Sequence, residues 1–341
     1  MGKADAPCDV LVLGGGPAGC AAALHCARRG LNVTLLEAKP FPRDHAGETL
    51  HPGVEPVLRQ LGVWESLLAE DFPRHEGNWI EWGAPPRFEA FGQDEHGPWH
   101  GFQAWRARFD HLLLDHARAA GVHIRQPCAA TGVLRGENNR IAGVTTADGP
   151  LSARWVIDAA GGGHWLARQL GLTVEKFSPQ LIARHGYVRG NYPSRDEAPL
   201  IKADATGWTW IARVRPGLYQ WTRLVTVGPQ PPREWVPPEL AGLAREGAPR
   251  ATDVTWRKVA PVAGPGYFMV GDAAATLDPA ASHGVLKGLM SGMMAAHLIE
   301  AMHRGEPESR ALLAYEQWLT GWFDTDVAKL RSLYAERWPS A

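Results

Sequence analysis

The chain has 341 residues, enough for one large domain or two intimate ones around a real hydrophobic core. Its 35 basic and 36 acidic residues leave a net charge of −1, which offers no electrostatic case for binding nucleic acid or an anionic membrane. Hydrophobic content of 45% and charged content of 21% suit a globular enzyme, and no run of about 18 apolar residues suggests a spanning helix.

Four cysteines, Cys8, Cys20, Cys26 and Cys128, form no CxxC pair and no zinc-spaced Cys/His cluster. They read as buried free thiols in a reducing, cytoplasmic compartment, with no metal site. The apolar start carries Asp9 and a glycine turn, which argues against a signal peptide. Fifteen tryptophans predict either a Trp-rich core or an aromatic binding cavity.

The opening "DVLVLGGGPAGCAAALHCARRGLNVTLLEA" predicts strand, turn, helix, turn, strand. Val10 to Leu13 form a short apolar run, as a central parallel strand should. Gly14, Gly16 and Gly19 fit the spacing of a dinucleotide fingerprint: a tight turn, close approach to a pyrophosphate, close helix–strand packing. Pro17 and Ala18 open the helix, whose N-terminus would face the phosphates, and Gly30 would cap its end. Leu31 to Leu36 is the second strand, and Glu37, followed by Ala38, ends it where a carboxylate accepts ribose hydroxyls.

Further on come "PFPRDHAGETLHPGVEPVLRQLG", "QAWRARFDHLLLDHARAAGV", "ARWVIDAAGGGHWLARQLG" and "GPGYFMVGDAAATLDPAASHGVLKGLMSGMMAAHLI". Residues 122–158 predict two or three strands with a turn at "RGENNR". "QLIARHGYVR", "GWTWIARV" and "LYQWTRLVTV" read as strands, the last two joined by a hairpin at Arg215-Pro216-Gly217. Alternation puts Trp208, Trp210 and Ala212 on one face, and Tyr219 and Trp221 on one face of the next strand. If both sets turn inward, the four aromatics form a substrate-binding wall. Residues 308–336 predict one or two amphipathic helices.

These motifs together resemble the FAD-dependent monooxygenase and halogenase clan, the para-hydroxybenzoate hydroxylase-like fold. The resemblance covers residues 8–305. It implies an α/β chain with a Rossmann-type FAD-binding domain at 1–78, 98–176 and 257–305. An inserted β-sheet substrate domain would occupy 79–97 and 177–256, with a C-terminal helical segment at 306–341. By the same resemblance FAD would be held by Arg43 and Glu48 in the first loop, Arg106 at the diphosphate, Asp158 and Gly161, with Arg168 also retained. Gly271 and Asp272 would meet the ribityl and pyrophosphate portion. Pro279, Ser282, Gly284 and Val285 would line the isoalloxazine and open a helix toward it. His283, His51 and His45 are the titratable groups placed nearest the flavin, as acid, base or flavin partner.

"GWTWIAR" resembles the "GWxWxIP" motif of flavin-dependent halogenases, without its proline. Thr276 and Ala281 replace the Phe and Glu of the tryptophan halogenases. Their catalytic lysine falls by alignment at Gly77 of "RHEGNWIEWG", a segment without lysine. The segment "GDAAATLDPAASHGVLKGLMSGMMAAHLI" in a short chain resembles more closely the flavoproteins that mature protein-derived quinone cofactors. These hydroxylate a Trp or Tyr side chain of a partner oxidase or dehydrogenase precursor through a C4a-hydroperoxyflavin formed with O2. A halogenase of a free aromatic and a reductase of the geranylgeranyl reductase type are the alternatives. Ala159 stands where a glycine serves direct NAD(P)H use, so electrons are expected from an NAD(P)H-linked flavin reductase or free reduced flavin.

Overall fold

The computed structural model describes residues 8–43 and 49–338. Strand β1 (Cys8–Leu13) is an unalternating apolar run, and Val10 to Leu13 are buried on both faces, as a central parallel strand requires. It leads into α1 (Pro17–Ala27), whose alanines and cysteines leave no polar face, so nearly the whole helix is buried. β2 (Val33–Leu36) starts two residues later than the pattern predicts.

The next elements are β3 (Thr49–Leu50), α2 (Val54–Gln60), α3 (Trp64–Leu68), β4 (Arg74–His75), β5 (Gly77–Glu81), β6 (Arg87–Ala90) and β7 (Gly101–Gln103). They are followed by α4 (Arg106–Ala119), β8 (His123–Arg125), β9 (Gly132–Arg135), β10 (Ile141–Thr146), β11 (Gly149–Asp158) and α5 (Trp165–Leu170). The elements that complete the site are β12 (Ile182–Arg189), β13 (Leu200–Ala203), β14 (Gly207–Arg215), β15 (Leu218–Val225), β16 (Ala244–Asp253), β17 (Tyr267–Met269), α6 (Gly284–His303) and α7 (Glu308–Arg337). The C-terminal segment is thus one long helix, which buries Tyr315, Leu319, Phe323, Leu330 and Tyr334.

The first sheet has the order β8-β2-β1-β11-β10-β9, with β17 beside the second half of β11. Strands β8, β2, β1, β11 and β17 are parallel, so Leu13, Leu36, Asp158 and Met269 end at the same edge. That carboxyl edge is where doubly wound sheets bind their ligands. Helix α6 lies against α1 so closely that a Cβ on Gly292 would meet the Ala18 carbonyl oxygen at 2.2 Å.

The second sheet has the order β16-β12-β15-β14-β13-β5-β6, and a small ribbon β3-β7-β4 lies between the sheets. Residues opposite each other in an antiparallel ladder share a face. Trp208, Trp210 and Ala212 pair with Leu224, Thr222 and Gln220, whereas Trp221 and Tyr219 pair with Ile211 and Arg213. The hairpin register therefore puts Tyr219 and Trp221 on the face opposite to Trp208 and Trp210. This corrects the four-aromatic wall. The inner face joins the main core, while Tyr219 and Trp221 build a separate small core with Val188, Ile211 and Leu240.

Among the described residues no helix is long and apolar enough to cross a membrane, and all four cysteines are free.

Candidate active site

At the carboxyl edge, Gly14 has φ +106°, and a Cβ there would meet the Ala159 carbonyl oxygen at 2.4 Å. Only glycine fits that turn. Gly16 is the N-cap of α1 without a side-chain cap, so the N–H groups of Ala18 and Gly19, beyond Pro17, remain free for an anion. Glu37 is buried, and its carboxylate accepts from Gly15 N–H at 2.8 Å and Lys39 N–H at 2.9 Å. Two backbone donors fix it while each oxygen keeps a second lone pair for a sugar hydroxyl. Ala38 beside it is exposed.

Two arginines converge on the same edge. Arg106 grips the buried Asp110 at 2.7 and 3.0 Å, and Arg43 lies 3.5 Å from Glu37 and 4.0 Å from Asp110. The buried Nε of Arg43 has no partner among the described residues. His45 and Glu48 lie outside the described residues. Asp158 does not reach the open edge. It is fully buried and accepts from Ala160 and Leu166 N–H groups, both at 2.9 Å, so it holds the turn that carries Gly161. Arg168 closes the same turn on the Gly163 carbonyl.

The turn after β17 is tied to α6 by Ser291, whose hydroxyl accepts from Gly271 N–H at 2.8 Å and donates to the Gly288 carbonyl at 2.9 Å. His164, which sequence reasoning missed, donates from Nδ1 to the Ala273 carbonyl at 3.0 Å and joins the two turns. Asp272 is exposed although protein atoms crowd its carboxyl. Burial raises its pKa, while Arg106 and Arg257 oppose the rise. Pro279, Ser282 and Gly284 are exposed, and Val285 is half-buried in the first turn of α6. No atom lies within 4 Å of a Cβ built on Gly161 or Gly284. Free N–H groups, an unpartnered buried Arg43 nitrogen, a fixed ribose acid and open space at these two glycines fit a bound FAD.

Beside this edge the inner sheet face and the ribbon meet in an aromatic cluster. Trp210, Thr222 and His185 stand on one rung of the second sheet, with Gln220 and Tyr187 on the next. A directed line of hydrogen bonds runs through it. Trp210 Nε1 donates to Thr49 Oγ1 at 3.1 Å, Thr49 to Gln103 Oε1 at 2.8 Å, and Gln103 Nε2 to His75 Nε2 at 2.9 Å. His75 Nδ1 ends it by donating to the Gly77 carbonyl at 2.9 Å, which assigns its proton to Nδ1. Phe91 contacts the His75 and His51 rings at 5.4 and 5.6 Å, and His51 meets His283 at 5.1 Å. His51 Nδ1 accepts from Gly53 N–H at 3.0 Å, so its neutral form carries the proton on Nε2. Burial lowers the pKa of both His51 and His283.

Gly77 cannot carry any side chain, since its Cβ would meet the Glu89 carbonyl oxygen at 2.2 Å. The histidine of that segment is His75, which sequence reasoning passed over because its partners Gln103 and Phe91 lie outside the segment. Trp208 is not a pocket wall: it is 1% exposed and its Nε1 donates to the Tyr334 hydroxyl at 2.8 Å. Two adjoining clefts of about 650 and 330 Å³ open at the hairpin end, lined by Trp105, Val214, Arg215 and Pro216 in the larger and by Phe72, Arg74 and Phe102 in the smaller. His25, His297 and Glu300 bring ligand atoms within 4.8 Å of one another. Glu300 is already held by Arg29 and Arg304, whose charges oppose a cation there.

Burial pushes His25, His75 and His185 down from 6.5 to about 4. The unfolded chain binds these protons near pH 6.5, the folded chain only near pH 4, so stability is full above 6.5 and is lost as pH falls through that window. The loss is up to about 3 kcal/mol per histidine. Burial pushes Asp278 up from 3.8 to about 6, which acts in the opposite sense, and the three histidines outweigh it. The melting temperature is expected to fall steadily from pH 7 to 4.5. A flat curve would mean that the three imidazoles are charged in the fold.

The model of a family described as FAD binding domain matches residues 7–319. The chain is 28% identical over 342 residues to a tryptophan 2-halogenase of Chondromyces crocatus, covering 90% of this chain and 64% of that protein. It is 27% identical over 347 residues to a brominase of pyrrole-2-carbonyl peptidyl-carrier protein from Pseudoalteromonas luteoviolacea, covering 92% and 82%. The crystal structure of the flavin-dependent halogenase CmlS superposes with a TM-score of 0.85 at 25% identity, covering 98% of this chain and 65% of that one. The chain thus spans slightly under two thirds of the length of the first and third of these proteins.

Proposed function

This chain belongs to the FAD binding domain family, and from that footing we propose that it is a flavin-dependent halogenase of a small aromatic substrate. The observation that carries the reading is Trp210. It is the second tryptophan of the halogenase-like motif, half-buried on the inner face and hydrogen-bonded to the ribbon beside the flavin edge. When bound and reduced, FAD supplies the electrons that activate dioxygen. A flavin reductase or free reduced flavin would deliver them.

The residues of this cluster and the sheet behind it would have three tasks. Trp210 and Phe91 offer ring faces to an electron-rich aromatic. Buried Trp208 and the small core behind the sheet keep water out. An aromatic ring that gains a halogen must lose a proton. The His283 ring has no hydrogen-bond partner among the described residues and burial favours its neutral form, so it is the base we assign. His51 presents an N–H instead, set by its bond from Gly53.

Incubation with reduced FAD, oxygen and bromide, offering indoles, phenols and pyrroles, is expected to give a product with the bromine isotope doublet. A hydroxylated product that forms without halide would overturn the reading. One observation favours that second outcome: residues 74–83 contain no lysine, and Gly77 has no room for one. Hydroxylation of a free aromatic, or of a Trp or Tyr side chain on a partner protein during quinone-cofactor maturation, is then the alternative. A mass increase of about one oxygen atom on a co-expressed partner would identify it.

A further inference from the structure

We infer that Asp278, Tyr334 and Trp208 form a positioning relay by which the C-terminal helix holds the flavin-side loop, residues 277–284, in its binding shape. The inference rests on FAD binding and not on which reaction follows. Asp278 is 2% exposed and immediately precedes Pro279. One carboxylate oxygen accepts from Ala280 N–H at 2.9 Å and so caps the short turn Pro279–Ala281. The other accepts from Trp256 Nε1 at 2.6 Å and from the Tyr334 hydroxyl at 2.9 Å. The Tyr334 oxygen in turn accepts from Trp208 Nε1 at 2.8 Å.

Three segments therefore meet at one carboxylate, and Trp208 joins them through the Tyr334 hydroxyl. Its local bond shapes the loop, and its long-range bonds decide where the loop sits. The Tyr334 ring stacks on Trp256 at 5.6 Å and 15°, so the hydroxyl is aimed by a rigid pair of rings. Trp338 continues the contact, packing on Trp82 at 5.3 Å and donating from Nε1 to the Asp204 carbonyl at 3.1 Å. A buried carboxylate needs all its donors, because each one lost leaves a costly unpaired group. Movement of the loop is the way to relieve that cost, and the loop carries Pro279, Ser282 and His283.

The test is FAD binding to apoprotein, followed by fluorescence quenching, with the absorption spectrum of bound FAD and the melting temperature of each apoprotein. Tyr334→Phe keeps the stacked ring and removes only the hydroxyl. Asp278→Asn keeps the shape and weakens the acceptor. Both are expected to raise the Kd for FAD about tenfold and to alter the bound spectrum, by the loss of one to two hydrogen bonds to a charged group. Leu330→Ala, in the same helix but outside the relay, is expected to lower the melting temperature and leave Kd and spectrum unchanged. Wild-type affinity and spectrum in both relay variants would overturn the inference. So would an equal loss of FAD affinity in Leu330→Ala, which would make the helix a general support.

Discussion

A Gly14→Ala protein is expected to lose bound FAD, with affinity reduced at least about 100-fold, and to melt at lower temperature. Two independent costs meet at this position. The φ of +106° lies outside the region that residues with a Cβ adopt, and the new methyl would stand 2.4 Å from the Ala159 carbonyl oxygen. Relieving the clash moves the β1–α1 turn away from β11, which also displaces the free N–H groups at the start of α1. About 3 kcal/mol of stability should go with it. Gly284→Val is the informative contrast. A Cβ there meets no atom of the protein within 4 Å, so apoprotein stability should stay near wild type. Weakened FAD binding in that variant would place the cofactor in the empty space. Equilibrium binding of FAD and calorimetry of the apoproteins separate the two results. Gly14→Ala with unchanged FAD affinity would sink the assignment of this edge.

The two tryptophans of "GWTWIARV" are expected to fail differently. Trp208→Ala removes a fully buried indole and the one donor to the Tyr334 oxygen, which keeps only its bond to Asp278, so it should cost about 3–5 kcal/mol of stability. Trp210→Ala removes a half-buried ring whose indole N–H bonds Thr49 Oγ1, so the stability loss should be smaller, about 1–2 kcal/mol. Its effect should appear in kcat/KM toward an aromatic substrate, down about 10–100-fold, the value of one lost ring contact plus misorientation. Thermal melts alongside single-turnover assays read both quantities. Equal stability losses with equal activity losses would mean that the pair acts as one structural unit.

Much of this was legible before any coordinates. The glycine spacing, the apolar run before it and Glu37 after it place a dinucleotide edge because each residue answers a local constraint: a turn, a helix start, a strand end. The same holds for Gly271-Asp272 and the small residues of α6, whose close approach to α1 demands them. The choice of reaction was not legible in that way. The flavin-loop segment in a short chain, with Ala281 and no lysine in 74–83, points by resemblance to a quinone-maturing hydroxylase, whereas a tryptophan 2-halogenase and a carrier-protein brominase are among the relatives that align along about nine tenths of it.

The aromatic wall shows why the remainder needed the fold. Alternation along a strand says which residues share a face, but not which face of the next strand joins them. That depends on ladder register, and the register pairs Trp221 with Ile211 and not with Trp210. Likewise, neither His75 nor Asp278 announces its partners, because Gln103, Thr49, Trp256 and Tyr334 come from segments far along the chain. The sequence by itself determined the strand, glycine turn, helix and strand that build the carboxyl edge, since those depend on neighbours within a few residues. Only the tertiary structure decided that Trp210 meets the ribbon at Thr49, that Trp208 anchors the last helix, and that Tyr219 and Trp221 serve another core. Burial and hydrogen bonding are set by contacts between remote strands, and no local pattern encodes them.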